Sequence, residues 1–116
     1  MKVVYVAGPY RARAENDVLR NILRSRKVAL WIWRHGGVAI SPHLNTAFMG
    51  GAALDETWLK GDLEIMRRCD GVVILPGWQS SEGTKAELAE ARKIGLPVFF
   101  WRPHSRRLLE QWLREG

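Results

Sequence analysis

Glu87 sits in the stretch SSEGTKAE, where the chain leaves a hydrophobic run, passes two serines and enters a helical pattern. A carboxylate in the first turn of a helix faces the positive end of the macrodipole and unsatisfied N–H groups, which keep it an anion. Thr84 to Glu87 also matches a capping box, in which the glutamate bonds back to the cap residue's N–H, so both roles stay open. Asp62 follows Gly61 inside LKGDLE, a helical pattern in which glycine costs about 1 kcal/mol relative to alanine and aspartate is a poor former. Either Asp62 caps a second helix after a break, or the break presents its carboxylate to a site. Tyr5 lies in the middle of a strand expected to be buried, and its hydroxyl needs a partner there. A carboxylate on the side of the third strand would serve, as would solvent or backbone.

A second group of residues suggests an anion site. Arg11 and Arg13 follow the Gly8-Pro9 turn, and Ser80, Ser81 and Gly83 open the helix that carries Glu87. A helix N-terminus with hydroxyls and a glycine attracts anions, and an arginine from a neighbouring turn would complete a phosphate pocket. Solvated arginines and a serine cap explain the same residues. GxGxxG and the P-loop pattern are absent, which excludes a Rossmann dinucleotide site and a P-loop NTPase. His35, His43 and His104 lack metal-ligand spacing and Cys69 is the single cysteine, so neither metal nor cofactor is expected. Cys69 in MRRCDGVVIL reads as a buried thiol ahead of a strand. His43, in SPHLNTAF, is the histidine placed in a pocket, with a satisfied loop residue as the alternative. Trp78, after Pro76-Gly77, either stacks on a base or covers the sheet edge.

Four short apolar runs must position these residues: KVVYVA (2–7), VAIS (38–41), GVVILP (71–76) and PVFFW (97–101). Their near-continuous apolarity predicts strands covered on both faces. Between the first two, Val18, Leu19, Ile22, Leu23, Arg26, Ala29, Leu30 and Trp33 recur at three-and-four spacing up to Gly36-Gly37, predicting one long amphipathic helix. Residues 55–70, 83–95 and 105–115 read as three more helices. The βαβαβαβα order predicts a single doubly wound α/β domain over 1–116, Rossmann-like or flavodoxin-like, with helices on both faces of a parallel sheet. The expected strand order is 2-1-3-4, and ligands bind such sheets beyond the strands' carboxyl ends at the switch point between strands 1 and 3. A proline-containing turn follows every strand there: AGPYRAR, SPHLN, LPGWQSS and WRPHS.

The bulk composition narrows the partners. The chain is 47% hydrophobic and 26% charged, with no apolar run near the roughly 20 residues of a membrane span and no leader-like segment. A cytoplasmic protein without a membrane partner is expected. The net charge is +6, and many of the positive charges, Arg20, Arg24, Arg26, Lys27 and Arg34, lie along the long helix without interleaved exposed aromatics. A solvated basic face is preferred over nucleic-acid binding.

Taken together, VYVAGPY, GDLEIMRRCDGVVIL and SSEGTKAELAEARKIGLPVFF resemble the nucleoside 2-deoxyribosyltransferase superfamily, most closely its short domains of unknown function. The resemblance implies that Glu87 attacks C1′ of a deoxyribosyl group, that Tyr5 orients it, and that Asp62 stands near the leaving base. Substrate contacts are expected at Gly8, Tyr10, Arg11, His43, Trp78, Ser81 and Gly83. The superfamily's free-nucleoside transferases resemble one another in an acidic residue six positions before the nucleophile, whereas its deoxynucleoside 5′-monophosphate N-glycosidases carry serine there. Ser81 and Arg11 match the monophosphate branch. Pro9 and Tyr10 depart from that branch's small and aliphatic residues, and SPHLNTAFMGGAA has no assigned counterpart. The resemblance also implies a homodimer or higher homo-oligomer, with the Leu108, Leu109, Trp112 and Leu113 stripe as an interface candidate. The rival functions are a transferase on free deoxynucleosides and a nucleotide-binding module without turnover.

Overall fold

The structure, a computed structural model, describes residues 1–10, 15–47 and 49–116; the candidate Arg11, with Arg13, lies outside them. Four strands form one parallel sheet: β1 (Val3–Ala7), β2 (Val38–Ile40), β3 (Gly71–Ile74) and β4 (Val98–Phe100), in the order β2-β1-β3-β4. Tyr5 pairs with Ile40 on one side and Val72 on the other, and Ile74 pairs with Ala7 and Phe100. Among the described residues, five helices surround the sheet: α1 (Glu15–Arg34), α2 (Pro42–Asn45), α3 (Asp55–Arg67), α4 (Glu82–Ile94) and α5 (Arg106–Arg114). The doubly wound topology and the reversal between β1 and β3 are as the alternation predicts.

Because successive strand residues point to opposite faces, the sheet sorts its side chains into two cores. Val4, Val6 and Val73 face α1 and α5 with Val28, Ile32, Leu109 and Leu113. Tyr5, Ala7, Val72 and Ile74 face α3 and α4 with Met66, Cys69, Leu88 and Ala91. Cys69 is buried just before β3, and its thiol donates to the Ile65 carbonyl at 3.4 Å. Tyr5 is itself part of the second core, and α3 and α4, which cover that face, carry Asp62 and Glu87.

Four elements depart from the sequence expectations. α3 runs unbroken through Gly61 and Asp62, because Leu63, Ile65 and Met66 pack into the second core; their burial outweighs the weak local propensity. The short α2 and a 3-10 turn at Trp78–Ser80 occupy segments read as loop. On α5, Leu109 and Leu113 are each 2% exposed against the chain's own sheet, and Trp112 packs on Phe99 at 5.0 Å. The stripe proposed for an interface is therefore used internally, with only Leu108 left exposed. Gly71 permits this packing, since a Cβ there would lie 2.6 Å from the Trp112 ring. Among the described residues no helix is long and apolar enough to cross a membrane.

Candidate active site

α4 begins earlier than the capping-box reading places it. Ser81 is the N-cap: its Oγ accepts from the Thr84 N–H at 3.2 Å and pairs with Thr84 Oγ1 at 2.8 Å. The chain reaches this cap through Gly77, whose φ of 87° is open to glycine, and through the 3-10 turn. Thr84 is thus a buried residue of the first turn, and Glu87 stands in the second. No capping box forms between them.

That displacement buries Glu87. It is 7% exposed and accepts a hydrogen bond at Oε2 from the hydroxyl of Tyr5, itself fully buried. Burial pushes the Glu87 carboxyl up to about 7; the Tyr5 bond opposes the rise and the charge of Asp62 adds to it. Burial works against the ionised form that a helix dipole would favour, because the dipole's influence fades beyond the first turn. The Tyr5 hydroxyl is raised far above its ordinary range, by burial first and then by the charges of Glu87 and Asp62, so it remains a protonated donor.

Asp62 comes to the same place from α3. Its carboxyl is pushed up to about 6 by burial, and its charge reaches both Tyr5 and Glu87. The helix around it is continuous, so Asp62 neither caps a helix nor follows a break. Arg67 on α3 bridges to Glu90 on α4 at 3.1 Å, one turn beyond Glu87 on the same helix face. This half-exposed pair contributes under about 1 kcal/mol, but it ties together the two helices that carry the carboxyls. The two carboxyls are both raised by burial and coupled to each other, and Tyr5 bonds the Glu87 member, so the pair titrates as a unit.

The remaining candidates divide. Gly8 closes the end of β1, where a Cβ would meet Leu75 at 2.7 Å. Gly83, in the first turn of α4, is open, with nothing within 4 Å of where a Cβ would stand. Trp78 lies half buried against Phe100 at 5.6 Å, covering the second core. His43 is 4% exposed, bonded to the Pro9 carbonyl and stacked with Tyr10. Sequence reasoning missed Asn21, whose amide donates to the Tyr10 carbonyl at 3.2 Å. On an amphipathic helix a polar residue carries no signal that separates it from a solvated one. Among the described residues no three His, Cys, Asp or Glu side chains group as metal ligands.

Residues 2–100 match DUF4406, a domain family of unknown function. The chain belongs to that family. Among solved structures, this DUF4406 chain is similar to the 2-deoxyribosyltransferase from the psychrotolerant bacterium Bacillus psychrosaccharolyticus. The two share 21% identity and a TM-score of 0.61, over 84% of this chain and 70% of that one. At that identity the likeness is one of fold. No curated protein matches the chain.

Proposed function

We propose that this DUF4406 domain cleaves the N-glycosidic bond of a (deoxy)nucleoside 5′-monophosphate, with Glu87 as nucleophile. The observation that carries the reading is the buried Tyr5–Glu87 hydrogen bond beside the coupled carboxyl of Asp62. A binding module has no need of a desolvated carboxylate held by a phenol. The deoxyribosyltransferase fold supports the same reading.

In the first step ionised Glu87 attacks C1′, the bond from C1′ to the base nitrogen breaks, and its electron pair leaves with the base. Protonated Asp62 supplies the proton that makes the base a better leaving group. In the second, water attacks C1′, the bond to Glu87 breaks, and Asp62 recovers a proton from the water. Two inversions give net retention, as in retaining glycosidases. Tyr5 holds one carboxylate oxygen and leaves the other free to attack. Ser81 favours the monophosphate, because a hydroxyl at the N-terminus of α4, with open Gly83 beside it, tolerates a phosphate that an acidic residue would repel.

The experiment is chromatography for free base after incubation with deoxynucleoside 5′-monophosphates, ribonucleotides and the matching nucleosides, alongside Glu87→Ala. Release from monophosphates that disappears in the variant is the expected result. Release only from free nucleosides overturns the phosphate assignment, and release from none, with or without an acceptor base, overturns the enzyme.

A further inference from the structure

His43 is a buried ionisable group that the proposed chemistry does not use. Its Nε2 lies 3.0 Å from the Pro9 carbonyl oxygen. A carbonyl only accepts, so Nε2 carries the proton and donates it. Nδ1 is buried without a hydrogen-bond partner among the described residues, which leaves its lone pair nothing to accept. Burial lowers the proton affinity of the ring, against the pull of the Pro9 and Gly8 carbonyls, so the imidazole is neutral.

The surroundings fix this ring and, through it, the turn between β1 and α1. Pro42 opens α2, and the hydroxyl of Ser41 just before it pairs with that of buried Ser25 on α1. Tyr10 lies over the imidazole with centroids 5.2 Å apart and planes 20° from parallel. Asn21 holds the Tyr10 carbonyl at 3.2 Å. Leu75 packs against Gly8, and Pro9 approaches Gly77, the residue that turns the chain toward Ser81 and Glu87. One side chain thus grips both the backbone and the aromatic face of the turn that leaves Tyr5's strand.

We propose that His43 is a positioning residue: through the Pro9 carbonyl and the Tyr10 ring it holds residues 8–10, the turn that leaves the strand of Tyr5 and packs on the Gly77 turn toward Glu87, in the form that binds substrate. His43 itself does not touch the ligand, since Nε2 is occupied and Tyr10 covers one ring face. The inference rests on the glycosidase reading for the identity of the ligand, and on geometry alone for the hold on the turn.

The test compares His43→Asn with His43→Gln. The glutamine amide nitrogen reaches the position of Nε2 and can donate to Pro9; the asparagine amide stops near Nδ1 and cannot. The first readout is hydrogen–deuterium exchange at the Gly8 and Tyr10 amides. His43→Asn should accelerate it by about tenfold or more while Val4 to Val6 stay protected, and His43→Gln should restore it. The second is base release, where His43→Asn should raise KM about tenfold with kcat changed less than about threefold. Unchanged exchange in His43→Asn overturns the positioning role, and a fall in kcat at constant KM overturns the link to substrate binding. Should His43→Asn not fold, His43→Phe, which keeps a ring but has no donor, takes its place with the same expectations. If the wild-type protein releases no base, the glycosidase reading fails by itself, and exchange still decides the hold on the turn. Calorimetric titration with deoxynucleoside 5′-monophosphates then decides the link to substrate binding: no weakening in His43→Asn, or no binding at all, overturns it.

Discussion

The hydroxyl of Tyr5, on the central strand β1, donates to Oε2 of Glu87 on α4, across 82 positions of sequence and with both side chains buried. The bond exists because parallel pairing sets β1 beside β3, and the chain leaving β3 returns over the same face as α4. It favours the ionised form of Glu87 and so partly offsets desolvation. Tyr5→Phe should therefore raise the Glu87 pKa further, moving the acid limb of activity to higher pH, and should lower kcat/KM by about 10- to 100-fold. Steady-state rates across pH measure both effects. An unmoved limb would detach Tyr5 from the nucleophile.

The two carboxyls set a narrow pH window. Activity requires Glu87 ionised and Asp62 protonated, the less populated of the two singly protonated forms, because Glu87 holds its proton up to about 7 and Asp62 up to about 6. Their coupled titration predicts a bell-shaped kcat/KM with its maximum between those values. Asp62→Asn should remove the alkaline limb and lower the Glu87 pKa, because a negative neighbour is gone. A profile that climbs steadily to pH 9 in the wild-type protein would exclude Asp62 as the acid.

Glu87 also costs stability where it is ionised. Its carboxyl titrates near 4.5 when unperturbed and near 7 in the fold, so between those values the unfolded chain binds fewer protons than the native one. Stability falls as pH rises through that window and levels off above it, by on the order of 2 to 3 kcal/mol. Glu87→Gln keeps an acceptor for Tyr5 without the charge. Denaturant unfolding should show it more stable than wild type at pH 8 and nearly equal at pH 4.5, with turnover abolished at both.

Ser81 carries a structural and a proposed chemical role that one substitution separates. Aspartate is as good an N-cap as serine, so Ser81→Asp should preserve α4, whereas Ser81→Ala should destabilise the protein by about 1 kcal/mol. The added charge of Ser81→Asp should cut kcat/KM for monophosphates by about tenfold or more and leave free nucleosides unaffected. Equal effects on both substrates would remove Ser81 from phosphate binding.

Gly61 tests whether the poor local helix former beside Asp62 matters to function. A Cβ there meets nothing within 4 Å and the helix is unbroken, so Gly61→Ala should stabilise the protein by about 0.5 to 1 kcal/mol. Thermal unfolding measures the gain, and unchanged kcat shows that Asp62 needs no local flexibility. Lost activity in a more stable variant would show that it does.

Much of the layout was legible in the chain because it rests on short-range physics. Apolar runs without alternation mark strands covered on both faces, and three-and-four spacing marks the helices between them. From that alternation the β2-β1-β3-β4 order and the switch point beside Tyr5 followed without reference to any other protein. Where two local rules competed, the choice was made elsewhere in the molecule. Ser81 and Thr84 are both good caps; the turn through Gly77 and the 3-10 segment selected Ser81, and with it the second-turn place of Glu87.

The residue types at positions 5, 62 and 87, and the elements that carry them, are properties of the sequence. Their proton affinities are not. A carboxylate near a helix start looks like a stabilised anion until packing removes its water, and desolvation depends on what α3, α4 and β1 bring against it. In the same way a histidine in a loop-like stretch shows nothing of the Pro9 carbonyl 34 positions away. Sequence periodicity reports which face of an element is buried; only the packed chain decides which polar groups meet there, because those contacts join elements that no local pattern links.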